Sequence, residues 1–227
     1  MCVRISLIAV LLIFTTVSCR TKTLRNSNHH KIHVDKFCNL VNTNRTLDCI
    51  EYLDQLTSAE VIMTDEGMLI NAMLLDTDIQ AEYTERDAPL YKESCFEIFF
   101  DPKADGIDYY EIQINAIGTI FDYKLRDAIG PLNTKENMVQ WHIPESRLNI
   151  NIEGTVNESS DKDKFWSFDL LIPWTMIEEG RPKEGDCWAF NFMRVEADND
   201  DKPTYWVWKP TGKKLIHVPE TWPQICF

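Results

Sequence analysis

Basic residues are in short supply: 23 Lys and Arg stand against 36 Asp and Glu, a formal net charge of −13. Nucleic-acid binding is excluded on that balance, since phosphate contacts need clustered Lys and Arg. Glycine is scarce too, with 8 in 227 residues. With no collagen period and no internal repeat, fibrous and solenoid architectures are excluded. No C-x-x-C spacing occurs among the cysteines, so neither a zinc knuckle nor a thioredoxin-like site is encoded. Phosphate loops, H-E-x-x-H and a Ser-His-Asp order are also missing. The longest apolar run, Ile5–Val17, has 13 residues. As a helix it would rise about 20 Å, short of the roughly 30 Å hydrocarbon core.

That run, preceded by Arg4, reads as a secretory signal over residues 1–18 rather than a spanning helix. Its ending, Thr16-Val17-Ser18-Cys19, resembles a bacterial lipoprotein signal, which implies lipid attachment at Cys19. Thr16 stands where Leu is usual, so cleavage by an ordinary signal peptidase is the alternative. Residues 19–44 are polar and basic and read as a lipid-anchored tether. The expected location is the outer membrane or cell surface, with a periplasmic or secreted form as the alternative. His29, His30 and His33 read as solvated polar residues, not metal ligands.

What is present is enough for one sizeable core. Hydrophobic residues make up 44%, with 11 Phe, 7 Tyr and 7 Trp, and the length suits a single domain, taken as 45–227. Short β-rich runs separated by turn residues predict an all-β fold, a jelly-roll-like β-sandwich of two antiparallel sheets. Glu60–Thr64 and Met68–Leu75 flank Asp65-Glu66-Gly67, a hairpin turn with Gly67 free to take positive φ. Cys95–Asp101 is a strand stopped by Pro102, and Tyr109–Ala116 alternates apolar Tyr110, Ile112 and Ile114 with polar Glu111, Gln113 and Asn115. Pro173 opens a short helical segment near 174–180, closed by Gly180. The longest loops fall at 77–92, 127–147 and 197–204. Export permits disulfides, and Cys38 with Cys49 is the nearest pair; Cys95 and Cys187, inside apolar runs, read as buried thiols.

Five segments, in order, resemble the family 9 carbohydrate-binding modules. They are Leu90–Pro102 (LYKESCFEIFFDP), Tyr109–Gly118 (YYEIQINAIG), Phe168–Trp174 ending in I-P-W, Gly185–Glu196 (GDCWAFNFMRVE), and the aromatic ending Tyr205–Pro210 with His217–Trp222. The resemblance implies a β-sandwich that binds oligo- or polysaccharide without catalysis, as a monomer that meets the membrane only through its anchor. It also implies a slot of two opposed rings: Tyr91 on one side, Trp206 or Trp208 on the other. Flat rings cover the apolar faces of a sugar, while paired hydrogen bonds meet its hydroxyls. Glu97, Gln113 and Asn115 are the implied polar contacts, with Arg194 in place of a basic residue usual where Gln113 stands.

No cofactor is implied, though some members carry structural calcium. Asp101, Asp105 and Asp108 are the oxygen ligands such an ion would use, against the plainer reading of an Asp-rich turn. Two further functions compete. A glycosidase would use two carboxylates about 5 to 10 Å apart, with Glu97 and Glu111 as candidates. A haem-binding electron-transfer sandwich would draw axial ligands from Met63, Met68, Met73, His142 and His217.

Overall fold

The computed structural model describes residues 31–43, 46–127, 137–197, 203–212 and 216–227, the side chains of 36, 38–43 and 46–56 excepted. The expected signal, residues 19–30 of the expected tether, and the Cys38 and Cys49 side chains lie outside the described residues. Among the described residues, twelve strands form in chain order: β1 Lys31–Thr43, β2 Thr46–Met63, β3 Gly67–Leu75, β4 Cys95–Asp101, β5 Tyr109–Ile114 and β6 Ile120–Leu125. These are followed by β7 Met138–Gln140, β8 Leu148–Glu153, β9 Phe165–Pro173, β10 Cys187–Glu196, β11 Thr204–Val207 and β12 Gln224–Cys226. Every pairing is antiparallel. The expected helical segment is a single 3-10 turn, Trp174–Met176, with Gly180 closing the bend that follows.

Hydrogen bonding runs β7-β6-β5-β4-β10-β11-β1-β2-β3-β9-β8, with β12 beside β10. The path doubles over at β1, giving two layers, β7 to β11 against β1 to β8. β1 pairs with β11 through Cys38–Leu40 and with β2 along most of its length, and its register slips twice, between Val34 and Lys36 and between Cys38 and Leu40. Such bulges bend a strand and let it pass from one layer to the other. Inside the sandwich, Phe96, Ile98, Phe100, Ile112, Ile114, Phe190 and Phe192 meet Val61, Ile70, Leu74, Trp166, Phe168 and Leu170. Phe96 bridges the layers, 5.6 Å from Phe168 between ring centroids. Each fully buried large side chain of this kind contributes roughly 1.5–3 kcal/mol.

Three expectations change. Among the described residues the sheet already includes Lys31, ahead of residue 45: Val34 and Phe37 of β1 are core residues, so 31–43 is strand rather than tether. Gly67 needs no positive φ. Its Cβ would collide with the Ile172 carbonyl across the β3–β9 pair, so close approach is what demands glycine. Cys187 is no buried thiol: it is half-buried and disulfide-bonded to Cys226, its register partner on β12. Cys95 is buried and free.

Candidate functional site

The outer face of the β6-β5-β4-β10-β11 layer is built in rows across the strands. Register aligns Phe121, Gln113, Glu97, Met193 and Val207 in one row, and Tyr123, Glu111, Phe99 and Asn191 in the next. A row on the other side holds Cys95, Val195 and Tyr205. Alternation predicts this face to be polar at Glu97, Glu111 and Gln113, and it is. Yet it is not solvated: Glu97 is 2% exposed, Glu111 1% and Gln113 3%. The 77–92 loop and the 216–222 segment lay Leu90, Ile216 and Trp222 over it, making a second apolar cluster outside the sheet.

Buried polar groups there must find partners, and most do. Gln113 Nε2 donates to Glu111 Oε1 at 2.7 Å, and its Oε1 accepts the Tyr91 backbone N–H at 3.0 Å. Glu111 Oε2 accepts from the Tyr123 hydroxyl and faces His217 Nδ1 at 3.6 Å. The Tyr109 hydroxyl meets the same nitrogen at 2.7 Å. Asn115 donates to the Tyr83 carbonyl and to Glu93, both at 2.8 Å, and accepts the Thr119 N–H. Gly118, at φ +86°, makes the tight turn that brings Thr119 back to it. Glu93 completes the latch by accepting the Glu82 and Tyr83 backbone N–H groups.

Glu97 differs from these neighbours. Its one hydrogen bond among the described residues comes from the Cys95 thiol at 3.9 Å. Burial, and then the Glu111 charge on the next strand, push its carboxyl well above the usual carboxylate range, and the thiol contact opposes this. A protonated carboxyl can donate as well as accept. Tyr205 lies on the same face, half-buried, its phenol raised by burial and by the Glu97 charge. Tyr91 stands in a 3-10 turn, Leu90–Lys92, whose Leu90 is buried while Tyr91 is 48% exposed. The Lys92 ammonium lies 5.8 Å from that ring.

Thus Tyr91, Glu97, Gln113 and Asn115 come together around one face, but Arg194, Trp206 and Trp208 do not. Arg194 pairs with Phe96 and Trp206 in the β4–β10–β11 register, so all three point inward. The Arg194 guanidinium bonds the Leu75 carbonyl at 2.8 Å and Glu196 at 2.7 Å, with Asp76 at 3.6 Å. Trp206 and Trp208 pack on the inner core, Trp208 5.6 Å from Phe192. The ring presented to the Glu97 face by this segment is Tyr205, which was missed. The alternation of Y-W-V-W separates Tyr205 and Val207 from the two Trp, but only the pairing with β10 says which set faces out.

Among the described residues, two groups of carboxylates are already hydrogen-bonded within the fold. Asp101 is spent on the backbone N–H groups of Lys103, Ala104 and Gly106, Asp105 on Ile107, and Asp108 on Arg126 and Asp127. These carboxylates cap a turn, the plainer of the two readings. Asp87, Asp122 and His142 also converge, their ligand atoms within 4.8 Å. Arg86 already supplies positive charge among them, with Nε donating to His142 Nδ1 at 2.8 Å and a second nitrogen bonding Asp122. The haem candidates are dispersed: Met63 and Met68 are core, Met73 lies exposed on β3, and His217 is tied to Tyr109. Of the glycosidase pair, Glu111 has both oxygens engaged.

The chain is thus an antiparallel β-sandwich in which an exposed Tyr91 stands beside the face that carries the buried Glu97. The model of carbohydrate-binding family 9 matches residues 28–227, and the chain belongs to that family. Members bind without catalysis, and the chain is not an enzyme. Among solved structures, a proposed carbohydrate-binding protein from Bacteroides uniformis ATCC 8492 is similar over 86% of each chain, at 15% identity and a TM-score of 0.60, which establishes a shared fold. More distant is a family 9 module from Caldicellulosiruptor kristjanssonii. Its cellotriose complex gives 15% identity over 77% of this chain and 76% of that one, TM-score 0.40. Its glucose complex gives 13% over 85% and 83%, TM-score 0.44. No curated protein matches the chain.

Proposed function

We propose that this chain binds a neutral oligo- or polysaccharide on the outer face of β4, β5, β10 and β11, with a sugar unit held between the Tyr91 and Tyr205 rings and hydrogen-bonded by Glu97. Family membership supports the ligand class. The observation that carries the site is Tyr91, 48% exposed, beside a face where Glu97 keeps unspent hydrogen-bonding capacity. Tyrosines give a smaller platform than tryptophans, so affinity is modest, with Kd in the micromolar to millimolar range, about 4 to 8 kcal/mol. Calorimetric titration with glucose, xylose, galactose and their oligosaccharides tests this. Binding should weaken about fivefold in Tyr91→Ala and in Tyr205→Ala, as expected from losing roughly 1 kcal/mol of ring contact. Flat heats across the panel from folded protein would remove the reading for those sugars.

We propose also that the chain is exported and lipid-anchored through Cys19 at the outer membrane or cell surface. The Ile5–Val17 run before Ser18-Cys19 supports this, and a Cys187–Cys226 disulfide suits an oxidising compartment. Metabolic labelling with a fatty acid should mark the wild-type chain and not Cys19→Ser; an unlabelled wild type refutes the anchor.

A further inference from the structure

The residue beside Glu97 on the next strand, Gln113, pairs with it in register and looks from sequence like a second ligand contact. Its side chain is otherwise employed. It is 3% exposed, and both ends of its amide are committed. The orientation of that amide is dictated by chemistry. Carboxylate oxygens accept, so Nε2 must face Glu111; a backbone N–H only donates, so Oε1 must face Tyr91. A flipped amide would lose both bonds. Glu111 is itself held, by the Tyr123 hydroxyl on one side of the strand and beside the His217–Tyr109 pair.

The other end of the connection is equally specific. Neighbouring N–H groups in the Tyr91 turn go to backbone carbonyls: Leu90 to Ala88, Lys92 to Pro89, Glu93 to Leu90. The Tyr91 N–H alone in that run goes to a side chain. The ring is exposed while the atom that anchors its backbone is buried. A platform fixed before the ligand arrives avoids the ordering cost of binding.

We propose that Gln113 is a positioning residue for Tyr91: through the Tyr91 backbone N–H it fixes the ring over the β4–β5 face, and it does not itself touch the ligand. Its effect on affinity rests on the sugar-binding reading; its hold on Tyr91 does not. In the full chain, the Tyr91 amide should be protected from hydrogen exchange, and Gln113→Met, similar in length but without the amide, should raise its exchange at least tenfold. Amides in the middle of β4 and β10 should stay protected. Gln113→Asn, polar but too short to reach, should behave like Met. Against the tightest sugar of the glucose, xylose and galactose panel, Gln113→Met should weaken binding in the wild-type background and change it less than twofold in a Tyr91→Ala background. An unprotected Tyr91 amide in the wild type overturns the proposal whether or not the variants fold. So does a loss in the double variant that multiplies the two single losses, because that means Gln113 contacts the sugar directly. If no sugar binds the wild type, the sugar-binding reading fails, and the exchange data alone decide whether Gln113 holds Tyr91.

Discussion

Glu97 is the residue on which sequence and environment pull hardest against each other. A strand position between Phe96 and Ile98 falls on the polar face, yet the carboxyl is buried, with a thiol for its hydrogen-bond partner and Glu111 nearby. Because folding raises its pKa above the ordinary 4.5, the folded chain holds a proton that the unfolded chain has released. The stability linked to this group is therefore complete below about pH 4.5 and drains away as pH rises toward the folded value. The slope approaches about 1.4 kcal/mol per pH unit inside that window. Asp76, Asp101 and Asp122 are raised in the same direction, chiefly by burial, so the wild-type curve alone does not isolate Glu97. Its difference from Glu97→Gln does. Urea unfolding from about pH 5 to 8 should show the wild type losing stability relative to the variant as pH rises. Parallel curves would mean that Glu97 ionises in the folded protein as easily as in the unfolded one.

Among the elements, legibility depended on how many surfaces each strand meets. β8 is buried on one face only, so Leu148, Ile150 and Ile152 alternate with exposed Asn149, Asn151 and Glu153 as the sequence predicts. β5 alternates just as cleanly in chemistry, but every residue is buried, because a loop and the 216–222 segment cover its polar side. Local pattern records which face is polar; it does not record what lies on top. This is why the bonds from Gln113 and Asn115 to loop and turn backbone could not be read from the strand pattern. β11 fails differently. Its period-two pattern is intact, but its facing is set by pairing with β10, a long-range choice absent from Tyr205–Trp208 alone. β1 was missed because Lys31–Thr43 mixes charged and apolar residues without clear alternation, and its two register slips destroy what period there is.

At the scale of the whole molecule, the chain must close a layer whose central strand has more neighbours than one sheet edge allows. β10 pairs with β4 along one side, while β11 takes the second half of its other side and β12 the first. β12 is a three-residue strand, and so short a piece is weakly held by its ladder alone. Three further features retain it. Gly185 N–H bonds the Phe227 carbonyl at 2.6 Å, Phe227 N–H bonds Asp186 at 2.9 Å, and the Phe227 ring packs edge-on against Trp188 at 6.1 Å. The fourth is covalent: Cys187 and Cys226, 39 residues apart, are joined. Closing a loop of that length removes unfolded-chain entropy equivalent to about 4 kcal/mol at most. The β10–β12 segment includes β11 and the 216–222 cover, so the bond encloses the part of the chain that bears Tyr205, Trp222 and His217. Reduction, or Cys187→Ser with Cys226→Ser, should lower unfolding free energy by about 2–4 kcal/mol. The three non-covalent contacts should keep β12 docked in the folded state, leaving the midpoint lower and the cooperativity unchanged. Urea melts with and without reductant measure both quantities. A midpoint indifferent to reductant would show that hydrogen bonds and Phe227 hold the end of the chain unaided, and a second, earlier transition would show that β12 leaves the sheet once the bond is cut.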